Sequence, residues 1–514
     1  MPETAFSAYR GRVITTTNPT TGETRETGIE ATPDAAVAAA AELAAAAAPA
    51  LATADREWRA GLLDALAAGL DADAPLLVET AMAETGLPRP RLETEVIRSA
   101  FQFRLFAEAV REGSFLEAAI DHAAPTPMGP GPDLRRMLVA LGPVAVFGSS
   151  NFPFAFSVVG GDTASALAAG CPVVVKAHSS HPLTSQTSFA TLQRAAEAYG
   201  APAGTLGIVY GTAAGRALVA DPHIAAVGFT GSLGAAQALL TIIDARPEPI
   251  PFYGELSSVN PLVVTPGAAA ARGEQLGEGL FTSFSGSAGQ LCTKPGVAFV
   301  PRSATTLVDT LVARVEAAGP QPLLNSRILT SFGEIRDRLV AEGRAEVLAT
   351  GSAGDGHPEG FGVVPHVLRI DAADLTEAAT EEAFGPLVLL AVYDDLDEVL
   401  TGLREVPTSL TATLHSEPGE SAERALLVEA MQRRAGRLVF DGYPTGVRVA
   451  WAQHHGGPWP ATNTIHTSVG VTAMRRFLRP FAWQDAPADV LPRELHDDDR
   501  SVPRRVDGVL QLPA

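Results

Sequence analysis

The sequence predicts an α/β protein built around a doubly wound, Rossmann-like parallel sheet. Between residues 142 and 232, short continuously apolar runs alternate with helical segments, and these runs read GPVAVFG, PVVVKA, LGIVYG and AAVGFTGS. Strands that are buried on both faces have this pattern, and ligands bind such sheets at the carboxyl ends of the strands. A second alternating region, over residues 256–450, predicts a second α/β domain.

The region before this sheet is predicted to be mostly helical. Residues 34–50 are almost all alanine, the residue with the highest helix propensity. Leucines recur at helical spacing over residues 55–71, and residues 91–113 form another long amphipathic pattern. Three long helices are therefore expected ahead of the first buried strand.

Length and charge restrict the class of protein. With 514 residues the chain is too long for one ordinary core, so two or three domains are expected. Lys and Arg number 38 against 58 Asp and Glu, which gives a net charge of −20. An acidic surface of this size repels phosphate groups, which argues against nucleic acid or an anionic membrane as the main partner.

Cysteine content and the N-terminal sequence indicate the compartment. The chain has two cysteines, too few for a disulfide framework, which fits a reducing environment. The opening MPETAFSAYRGRV lacks a signal-peptide pattern, and no run of about 18 uninterrupted apolar residues occurs. We therefore expect a cytoplasmic protein with no membrane span, and no metal site is predicted.

One of the two cysteines lies in a setting typical of a reactive thiol. Cys292 lies in GQLCTKPG, next to small and polar residues and two positions before a lysine, whereas Cys171 lies in an apolar context. A free cysteine is most often a buried packing residue, which is our interpretation of Cys171. For Cys292 the setting favours a catalytic nucleophile instead.

Four stretches carry a resemblance to a known family. In chain order they are SSNFPFAF, YGELSSVNP, GQLCTKPG and EEAFGP. Together they resemble the aldehyde dehydrogenase superfamily over nearly the whole chain. The resemblance implies the family's three-part fold. Its three predicted parts are an NAD(P)-binding domain (1–122 and 142–255), a catalytic domain (256–450) and a small β oligomerisation element that bridges subunits (123–141 and 467–485), and a C-terminal extension (486–514) follows them.

The resemblance implies three catalytic roles. Cys292 would attack the aldehyde to form a thiohemiacetal, from which loss of hydride leaves a thioester. Glu255, which follows the apolar IPFYG, would activate the water that hydrolyses this thioester. The side-chain amide of Asn151, together with the backbone N–H of Cys292, would stabilise the oxyanion. Asn151 could equally be a helix cap, and the two roles are compatible.

His455 in QHHGGPWPAT is predicted as an additional catalytic residue. Most family members lack a histidine at this position, and a His near the thiol could lower the pKa of the thiol or help to activate water. The alternative is a structural histidine in a Gly- and Pro-rich loop.

Several residues are predicted to bind the cofactor. Lys176 ends the second apolar run, where its amine could reach a nucleotide ribose. Many NAD-preferring relatives carry a Glu three residues after this lysine, whereas this chain has Ser179. A hydroxyl there, with Arg216 as a candidate cation, favours NADP while leaving NAD possible. Arg216 could also be an ordinary solvated helix charge.

Two further stretches complete the predicted cofactor site. Gly231 and Ser232, in FTGSLGAA, resemble the turn that receives the pyrophosphate at a helix N-terminus. In EEAFGP the resemblance assigns Glu382 to the nicotinamide ribose and Phe384 to the nicotinamide ring. A helix end before a turn is the alternative interpretation of EEAFGP.

The aldehyde is predicted from the subgroup that the chain resembles. KAHSSHP, GQLCTKPG, HGGPWPAT and the C-terminal extension are most similar to NADP-dependent α-ketoglutaric-semialdehyde (2,5-dioxovalerate) dehydrogenases, and HGGPxPAT also to fatty aldehyde dehydrogenases. A substrate carboxylate would require a cation, for which Arg98 is the candidate, with Gln102 one turn further along the same helix. Phe154 is expected to shape the same crevice.

Other functions stay open from sequence alone. The chain could oxidise a fatty or an aromatic aldehyde, or it could be a CoA-acylating dehydrogenase, a mode that usually dispenses with a base such as Glu255. A cysteine hydrolase using Cys292 and His455 would leave Lys176 and Glu382 unexplained, and a non-catalytic relative would not need these residues. Self-association as a homodimer or homotetramer is expected from the resemblance.

Overall fold

The structure is a computed structural model that describes residues 13–353 and 360–513. Its helices are α1 (Asp34–Thr53), α2 (Arg56–Thr85), α3 (Arg89–Glu112), α4 (Gly161–Ala169), α5 (Pro182–Tyr199), α6 (Thr212–Ala220), α7 (Leu233–Asp244), α8 (Pro266–Ser285), α9 (Thr305–Glu316), α10 (Ser326–Ala341), α11 (Leu396–Glu405) and α12 (Ser421–Gln432).

Twenty-three strands accompany these helices in the described part of the chain. The first half contains β1 (Val13–Thr17), β2 (Thr24–Glu30), β3 (Ala118–Asp121), β4 (Ala124–Thr126), β5 (Gly129–Gly131), β6 (Leu134–Ala140), β7 (Val144–Phe147), β8 (Val173–Lys176), β9 (Leu206–Val209), β10 (Ala226–Thr230) and β11 (Phe252–Glu255). The second half contains β12 (Leu262–Val264), β13 (Val297–Pro301), β14 (Gln321–Pro322), β15 (Glu346–Thr350), β16 (Gly362–Val363), β17 (His366–Asp371), β18 (Leu387–Tyr393), β19 (Ser409–His415), β20 (Ala435–Phe440), β21 (Leu478–Gln484), β22 (Arg504–Val506) and β23 (Val509–Gln511).

The four apolar runs form four strands of one parallel sheet. Its order is β11-β10-β7-β8-β9, and every neighbouring pair is parallel. Along β7, Val144 and Val146 pack in one hydrophobic cluster while Ala145 and Phe147 pack in another. The sheet is therefore covered on both faces, which explains why its strands are continuously apolar rather than alternating.

The strand order reverses beside β7. The chain runs from β7 outward through β8 to β9, then returns to the other side of β7 for β10 and β11. Crevices at such reversal points, beyond the carboxyl ends of the strands, are where ligands bind in open α/β sheets. The ends of β7 and β10 thus mark the predicted cofactor crevice.

The second α/β region forms a seven-stranded sheet. Its order is β15-β17-β18-β13-β12-β19-β20, parallel except for the edge strand β15, which runs antiparallel to β17. Val297 and Phe299 of β13 pack into one hydrophobic cluster, and Ala298 and Val300 into another on the opposite face. This domain supplies the loop that carries Cys292, which precedes β13.

A third sheet has the order β21-β6-β3-β22-β23. Strands β21 and β6 pair antiparallel over seven residues each, from Leu478↔Ala140 to Gln484↔Leu134. Of this sheet, the predicted oligomerisation segments contain only β6 and β21. The sheet is larger, because β3 had been placed in the cofactor domain and β22 and β23 in the C-terminal extension.

Helix α1 passes a length-and-composition test for a membrane span. Its alanine-rich sequence is apolar enough over 20 residues, and no other helix in the described ranges meets the same test. The buried residues of α1 are spaced along one face (Val37, Ala41, Ala44, Ala47 and Leu51), and the helix lies against β8, β9 and α6. This packing accounts for the apolar residues on that face.

Candidate active site

The carboxyl edge of the five-stranded sheet gathers several predicted site residues. Glu255 is the last residue of β11, Lys176 ends β8, Asn151 follows β7, and Gly231 follows β10. The Gly231 N–H donates to the Glu255 backbone carbonyl at 3.0 Å, which ties these two strand ends together. Parallel pairing places all four at one edge of the sheet, facing the loop that carries the thiol.

The Cys292 loop is held by a buried asparagine. The Nδ2 of Asn260 donates to the carbonyl oxygens of Cys292 at 2.8 Å and of Lys294 at 3.0 Å. Its Oδ1 accepts from the Thr411 backbone N–H at 3.1 Å, and Asn260 is 1% exposed. Asn260 thus fixes the thiol loop to the seven-stranded sheet.

Cys292, His455 and Glu255 converge at the interface between the two large domains. The Sγ of Cys292 lies 3.6 Å from the Nε2 of His455, and the same Nε2 lies 3.0 Å from Oε1 of Glu255. The second carboxylate oxygen of Glu255 accepts a 2.6 Å hydrogen bond from the Ser468 hydroxyl. The three ligating or reacting atoms of Cys292, His455 and Glu255 all lie within 4.8 Å of one another.

This cluster is shielded from water except on the thiol side. Glu255 and His455 are 3% and 1% exposed, whereas Cys292 is half-buried. A substrate can therefore reach the sulfur while the acid and the imidazole behind it stay protected.

The surroundings lower the pKa of Glu255 and raise the pKa of Cys292. Burial alone would raise the pKa of Glu255, but the charge and hydrogen bond of His455, with the bonds from Ser468 and Cys292, hold this pKa below its usual value. Burial raises the pKa of Cys292 well above that of a free thiol, and the negative charge of Glu255 raises it further, while Arg98 opposes the shift. Glu255 is therefore an anion, and the resting sulfur is a thiol.

The imidazole of His455 is positioned through its backbone. Its N–H donates to the Thr467 hydroxyl at 2.8 Å, and its carbonyl accepts from the Ser468 N–H at 2.9 Å. The Nδ1 atom is buried with no hydrogen-bond partner. Consequently Nε2 alone serves the thiol and the carboxylate, so a proton at this atom can be shared with only one of them at a time.

Asn151 lies beside the thiol loop as expected for an oxyanion donor. Its Nδ2 donates to the Gln290 carbonyl at 2.9 Å, two residues before Cys292, and a side-chain amide carries two hydrogens. One hydrogen is thus left for a ligand. The backbone N–H of Cys292 donates to no group in the described part of the protein.

Of the residues predicted to contact the substrate, Arg98 lies near the thiol and Gln102 is buried. Arg98 stacks over the Phe156 ring at 5.3 Å, and its Nε and Nη2 are buried without hydrogen-bond partners. Burial lowers the pKa of Arg98, opposed by the charges of Glu95, Cys292 and Glu255, so the guanidinium lies within electrostatic range of the thiol. Gln102 is 1% exposed, and its Nε2 is also unpartnered.

Phe154 does not line a crevice. It is fully buried in the hydrophobic core, and its N–H donates to Glu95 at 2.8 Å, so the expectation that it contacts substrate is wrong. Two residues further on, Phe156 instead packs near the His455 ring, with 6.2 Å between the ring centroids. The turn that contains both residues directs them to different sides.

Residues at the carboxyl edge fit a dinucleotide. The Lys176 amine makes no hydrogen bond or ion pair within the described residues, and burial lowers its pKa to about 8. Ser232 caps the N-terminus of α7, where its hydroxyl accepts from the Ala235 N–H at 3.4 Å. An unpartnered amine and a helix N-terminus at the same sheet edge suit ribose hydroxyls and a pyrophosphate.

The residues predicted to bind the 2′-phosphate lie on the surface near this edge. Ser179 is exposed in the loop between β8 and α5, and Arg216 is exposed on α6. Neither side chain forms a hydrogen bond or an ion pair with the part of the chain that the structure describes. Both are therefore available to a ligand.

The EEAFGP stretch separates its two acids. Glu381 pairs with Arg338 on the surface, whereas Glu382 is half-buried and accepts from the Ser258 N–H at 3.2 Å. Burial raises the pKa of Glu382 to about 7, and the charge of Lys294 opposes the shift. Phe384, two residues on, is also half-buried. The structure thus places the second acid inward and the first on the surface.

Lys294 does not activate the thiol, although its spacing from Cys292 suggested a reactive loop. Its Nζ donates to the carbonyls of Ala383 at 3.1 Å and Leu387 at 2.8 Å, and burial lowers its pKa to about 8. The side chain therefore points away from the sulfur and fixes the loop that carries Glu382.

Sequence reasoning missed the residues that support this cluster. Asn260 lies within the YGELSSVNP stretch, so its position could have drawn attention. Ser468 has no local signal, because it lies 213 residues from the Glu255 carboxylate that it contacts.

Comparisons with known proteins agree with this geometry. Residues 6–457 match the family described as "Aldehyde dehydrogenase family". The chain is 44% identical over 459 residues to alpha-ketoglutaric semialdehyde dehydrogenase 2 of Azospirillum brasilense (88% of this chain, 87% of the relative). It is 41% identical over 465 residues to alpha-ketoglutaric semialdehyde dehydrogenase of Acinetobacter baylyi (88% of each chain).

Solved structures share the fold. A 3,6-anhydro-L-galactose dehydrogenase in complex with NAP has a TM-score of 0.79 at 22% identity, covering 92% of this chain and 96% of that one. A 1-pyrroline-5-carboxylate dehydrogenase from Thermus with bound NAD has a TM-score of 0.77 at 21% identity, covering 92% and 90%. These likenesses confirm the predicted fold class, and the family uses NAD(P). The chain belongs to the aldehyde dehydrogenase family and is an oxidoreductase that acts on an aldehyde group.

Proposed function

We propose that this enzyme oxidises α-ketoglutaric semialdehyde to 2-oxoglutarate, with NADP preferred over NAD. The observation that carries the proposal is the buried guanidinium of Arg98, which has two unpartnered nitrogens and lies within electrostatic range of Cys292. Burying a cation without a partner is costly, so a site of this kind is completed by an anionic ligand. The two relatives above 40% identity are named for the same substrate.

In the first half of the reaction the Cys292 sulfur attacks the aldehyde carbon. The thiol proton passes to His455, whose Nε2 lies 3.6 Å from the sulfur. The free amide hydrogen of Asn151 and the Cys292 N–H stabilise the oxyanion, and each such donor typically contributes about 10²–10³ in rate. Bound NAD(P)⁺ supplies the hydride acceptor.

In the second half a water hydrolyses the thioester on Cys292. Glu255 accepts the proton of this water, because its carboxylate is held as an anion by Ser468 and His455. The depressed pKa makes Glu255 a weak base by itself, so His455 serves as its partner in receiving and passing on the proton. The presence of this acid opposes a CoA-acylating mode.

The cofactor preference rests on Ser179 and Arg216. An exposed hydroxyl replaces the acid that would repel a 2′-phosphate, and an exposed cation lies on α6 close to Lys176, whose stem packs against Gly215 of the same helix. Phosphate recognition by a guanidinium and a hydroxyl is common. Lys176, Ser232, Glu382 and Phe384 would then hold the parts that NAD and NADP share.

The substrate test is a panel of initial rates. NADPH and NADH formation is measured with α-ketoglutaric semialdehyde, a medium-chain fatty aldehyde and benzaldehyde. We expect the highest kcat/KM for the semialdehyde with NADP. Arg98→Met is expected to lower kcat/KM for the semialdehyde by at least about tenfold, as loss of a charge-assisted bond does, with little change for benzaldehyde.

The same panel distinguishes the other candidate substrates. A preference for the fatty or aromatic aldehyde would overturn the substrate proposal while leaving the chemistry at Cys292 intact. An equal loss for all aldehydes in Arg98→Met would show that Arg98 supports the fold of the site rather than the substrate carboxylate.

The cofactor preference has its own test. Ser179→Glu is expected to shift the kcat/KM ratio towards NAD by about tenfold or more, because the new carboxylate repels the 2′-phosphate. Ser179→Ala serves as the matched control, since it removes the hydroxyl without adding charge. An unchanged ratio in Ser179→Glu would contradict the proposed phosphate site.

Assembly and location complete the proposal. The sheet that contains β6 and β21 leaves apolar side chains exposed, among them Leu134 at 40% and Phe481 at 41%. We propose that these surfaces join subunits as a homodimer or homotetramer. The cytoplasm remains the proposed location, on the cysteine content discussed above.

A further inference from the structure

The catalytic cluster combines the three side-chain types that zinc prefers. A thiol sulfur, an imidazole nitrogen and a carboxylate oxygen approach one another within 4.8 Å at Cys292, His455 and Glu255. Zn²⁺ binds Cys, His and Asp or Glu in tetrahedral geometry, and sites with three protein ligands leave the fourth position to water. We propose that this cluster is also a reversible, inhibitory site for Zn²⁺.

The measured distances match the requirement of a tetrahedral ion. With Zn–S of about 2.3 Å and Zn–N of about 2.0–2.1 Å, tetrahedral angles place the sulfur and nitrogen about 3.6 Å apart. The Cys292 Sγ and His455 Nε2 are 3.6 Å apart. For nitrogen and oxygen the same geometry requires about 3.4 Å, and His455 Nε2 and Glu255 Oε1 are 3.0 Å apart. For these two pairs a movement of a few tenths of an ångström is enough, and the sulfur and the carboxylate oxygen lie within 4.8 Å of each other.

Bonding within the cluster leaves room for a cation. His455 has one ring nitrogen, Nε2, between the sulfur and the carboxylate, while Nδ1 has no partner. Three electron-pair donors directed at one point repel each other unless a proton or a metal ion lies between them. Zn²⁺ would accept all three lone pairs, and its charge would balance the thiolate and the carboxylate.

Supporting contacts hold two of the three ligands in place. Ser468 donates to Oε2 of Glu255 at 2.6 Å, which leaves Oε1 to face the cluster. Asn260 fixes the Cys292 carbonyl at 2.8 Å. Partners of this kind orient metal ligands and typically contribute 10- to 100-fold to affinity. The half-buried sulfur gives the ion a route from solvent.

Binding would block the reaction at its first step. Zn²⁺ displaces the thiol proton to solvent and forms a sulfur–zinc bond, with no change in oxidation state. The sulfur pair that attacks the aldehyde is then engaged, and Glu255 can no longer accept a proton from water. Inhibition is therefore competitive with the aldehyde and reversed by a chelator.

The test measures metal binding directly as well as activity. Chelator-treated enzyme is titrated with Co²⁺, and the sulfur-to-cobalt charge-transfer absorption is recorded. Zn²⁺ affinity is then obtained by competition with a chromophoric chelator. We expect one ion per chain at this site, a charge-transfer band in wild type and none in Cys292→Ser, and affinity at least about tenfold weaker in His455→Gln.

Two control variants separate this site from others. Cys171→Ser removes the thiol that lies outside the cluster, and His122→Ala removes an exposed histidine that pairs with Asp497 and Asp507 at 3.1 and 2.8 Å. Both are expected to leave the charge-transfer band and the zinc inhibition unchanged.

A charge-transfer band that persists in Cys292→Ser, or inhibition that is equally strong in His455→Gln, would overturn the proposal. So would one-to-one zinc binding that is lost in His122→Ala. Because cobalt absorption needs no turnover, these results do not depend on which aldehyde the enzyme oxidises.

Discussion

The two cysteines of this chain lie in contrasting surroundings. Cys171 precedes β8 and is 0% exposed, and its Sγ donates weakly to the Phe477 carbonyl at 3.4 Å, with the backbone amides of Leu141 and Gly142 and the charge of Arg59 nearby. Cys292 is half-buried, faces an imidazole nitrogen at 3.6 Å, and lies near a carboxylate and a guanidinium. The sulfur of Cys171 is packed in the core near a guanidinium, whereas that of Cys292 faces an imidazole and a carboxylate that can exchange protons.

Resting acidity does not distinguish these thiols. Burial raises the pKa of Cys171 to about 11, and burial together with Glu255 raises the pKa of Cys292 well above its ordinary value. What differs is the proton acceptor, because the imidazole of His455 lies 3.6 Å from the sulfur of Cys292, while no imidazole or carboxylate contacts Cys171 among the described residues. A nucleophile can thus remain a thiol at rest and be activated in the complex.

The largest expected difference is in turnover. Cys292→Ala is expected to lower kcat by at least about 10³-fold, because it removes the atom that forms the thioester. Cys171→Ala is expected to retain kcat within about twofold in the same assay. Initial rates of NADPH formation measure both, and comparable activity in the two variants would contradict the assignment of the nucleophile.

A smaller difference is expected in thiol alkylation. The negative charge of Glu255 raises the pKa of Cys292, so Glu255→Gln lowers this pKa and increases the thiolate fraction at any pH below it. We expect iodoacetamide to label Cys292 faster in Glu255→Gln than in wild type at pH 7–8, because a larger fraction of the sulfur is then thiolate.

Alkylation is followed in a Cys171→Ala background, and the expected rate increases with pH in both chains. Slower labelling in Glu255→Gln would show that the carboxylate acts mainly as the base that deprotonates the sulfur.

The smallest expected effect is on stability. Cys171→Ala deletes a fully buried sulfur and leaves a small cavity, so the free energy of unfolding is expected to fall by about 1–2 kcal/mol. Cys292→Ala removes a half-buried thiol beside an anion, and it is expected to change the free energy of unfolding by less than Cys171→Ala does. Urea unfolding followed by circular dichroism compares the two, and the reverse order would contradict the packing role of Cys171.

Much of the fold could be predicted because its signals are local. The four apolar runs became β7 to β10, and the alanine tract became α1. The third sheet was underestimated, since β22 and β23 are three residues each and join β3 from the far end of the chain. Such short strands show no periodic sequence pattern, and their pairing with a distant strand cannot be predicted from the local sequence.

Positions within the site were predictable where a motif fixes them. Glu255, Cys292 and His455 come from segments 37 and 163 residues apart, yet their atoms meet. Side-chain direction could not be predicted. Lys294 points to the Glu382 loop rather than to the thiol, and Phe154 points into the core, because packing of the surrounding loop decides both.

The measurement that tests the central claim most directly is a rapid-mixing experiment on Glu255→Gln. The account expects a burst of NADPH equal to one per active site, followed by slow turnover reduced about 10²–10⁴-fold, since the thioester forms but water lacks its base. Mass spectrometry of quenched enzyme is expected to find the acyl group on the peptide that contains Cys292. Absence of a burst, or an acyl group on any other residue, would contradict the account.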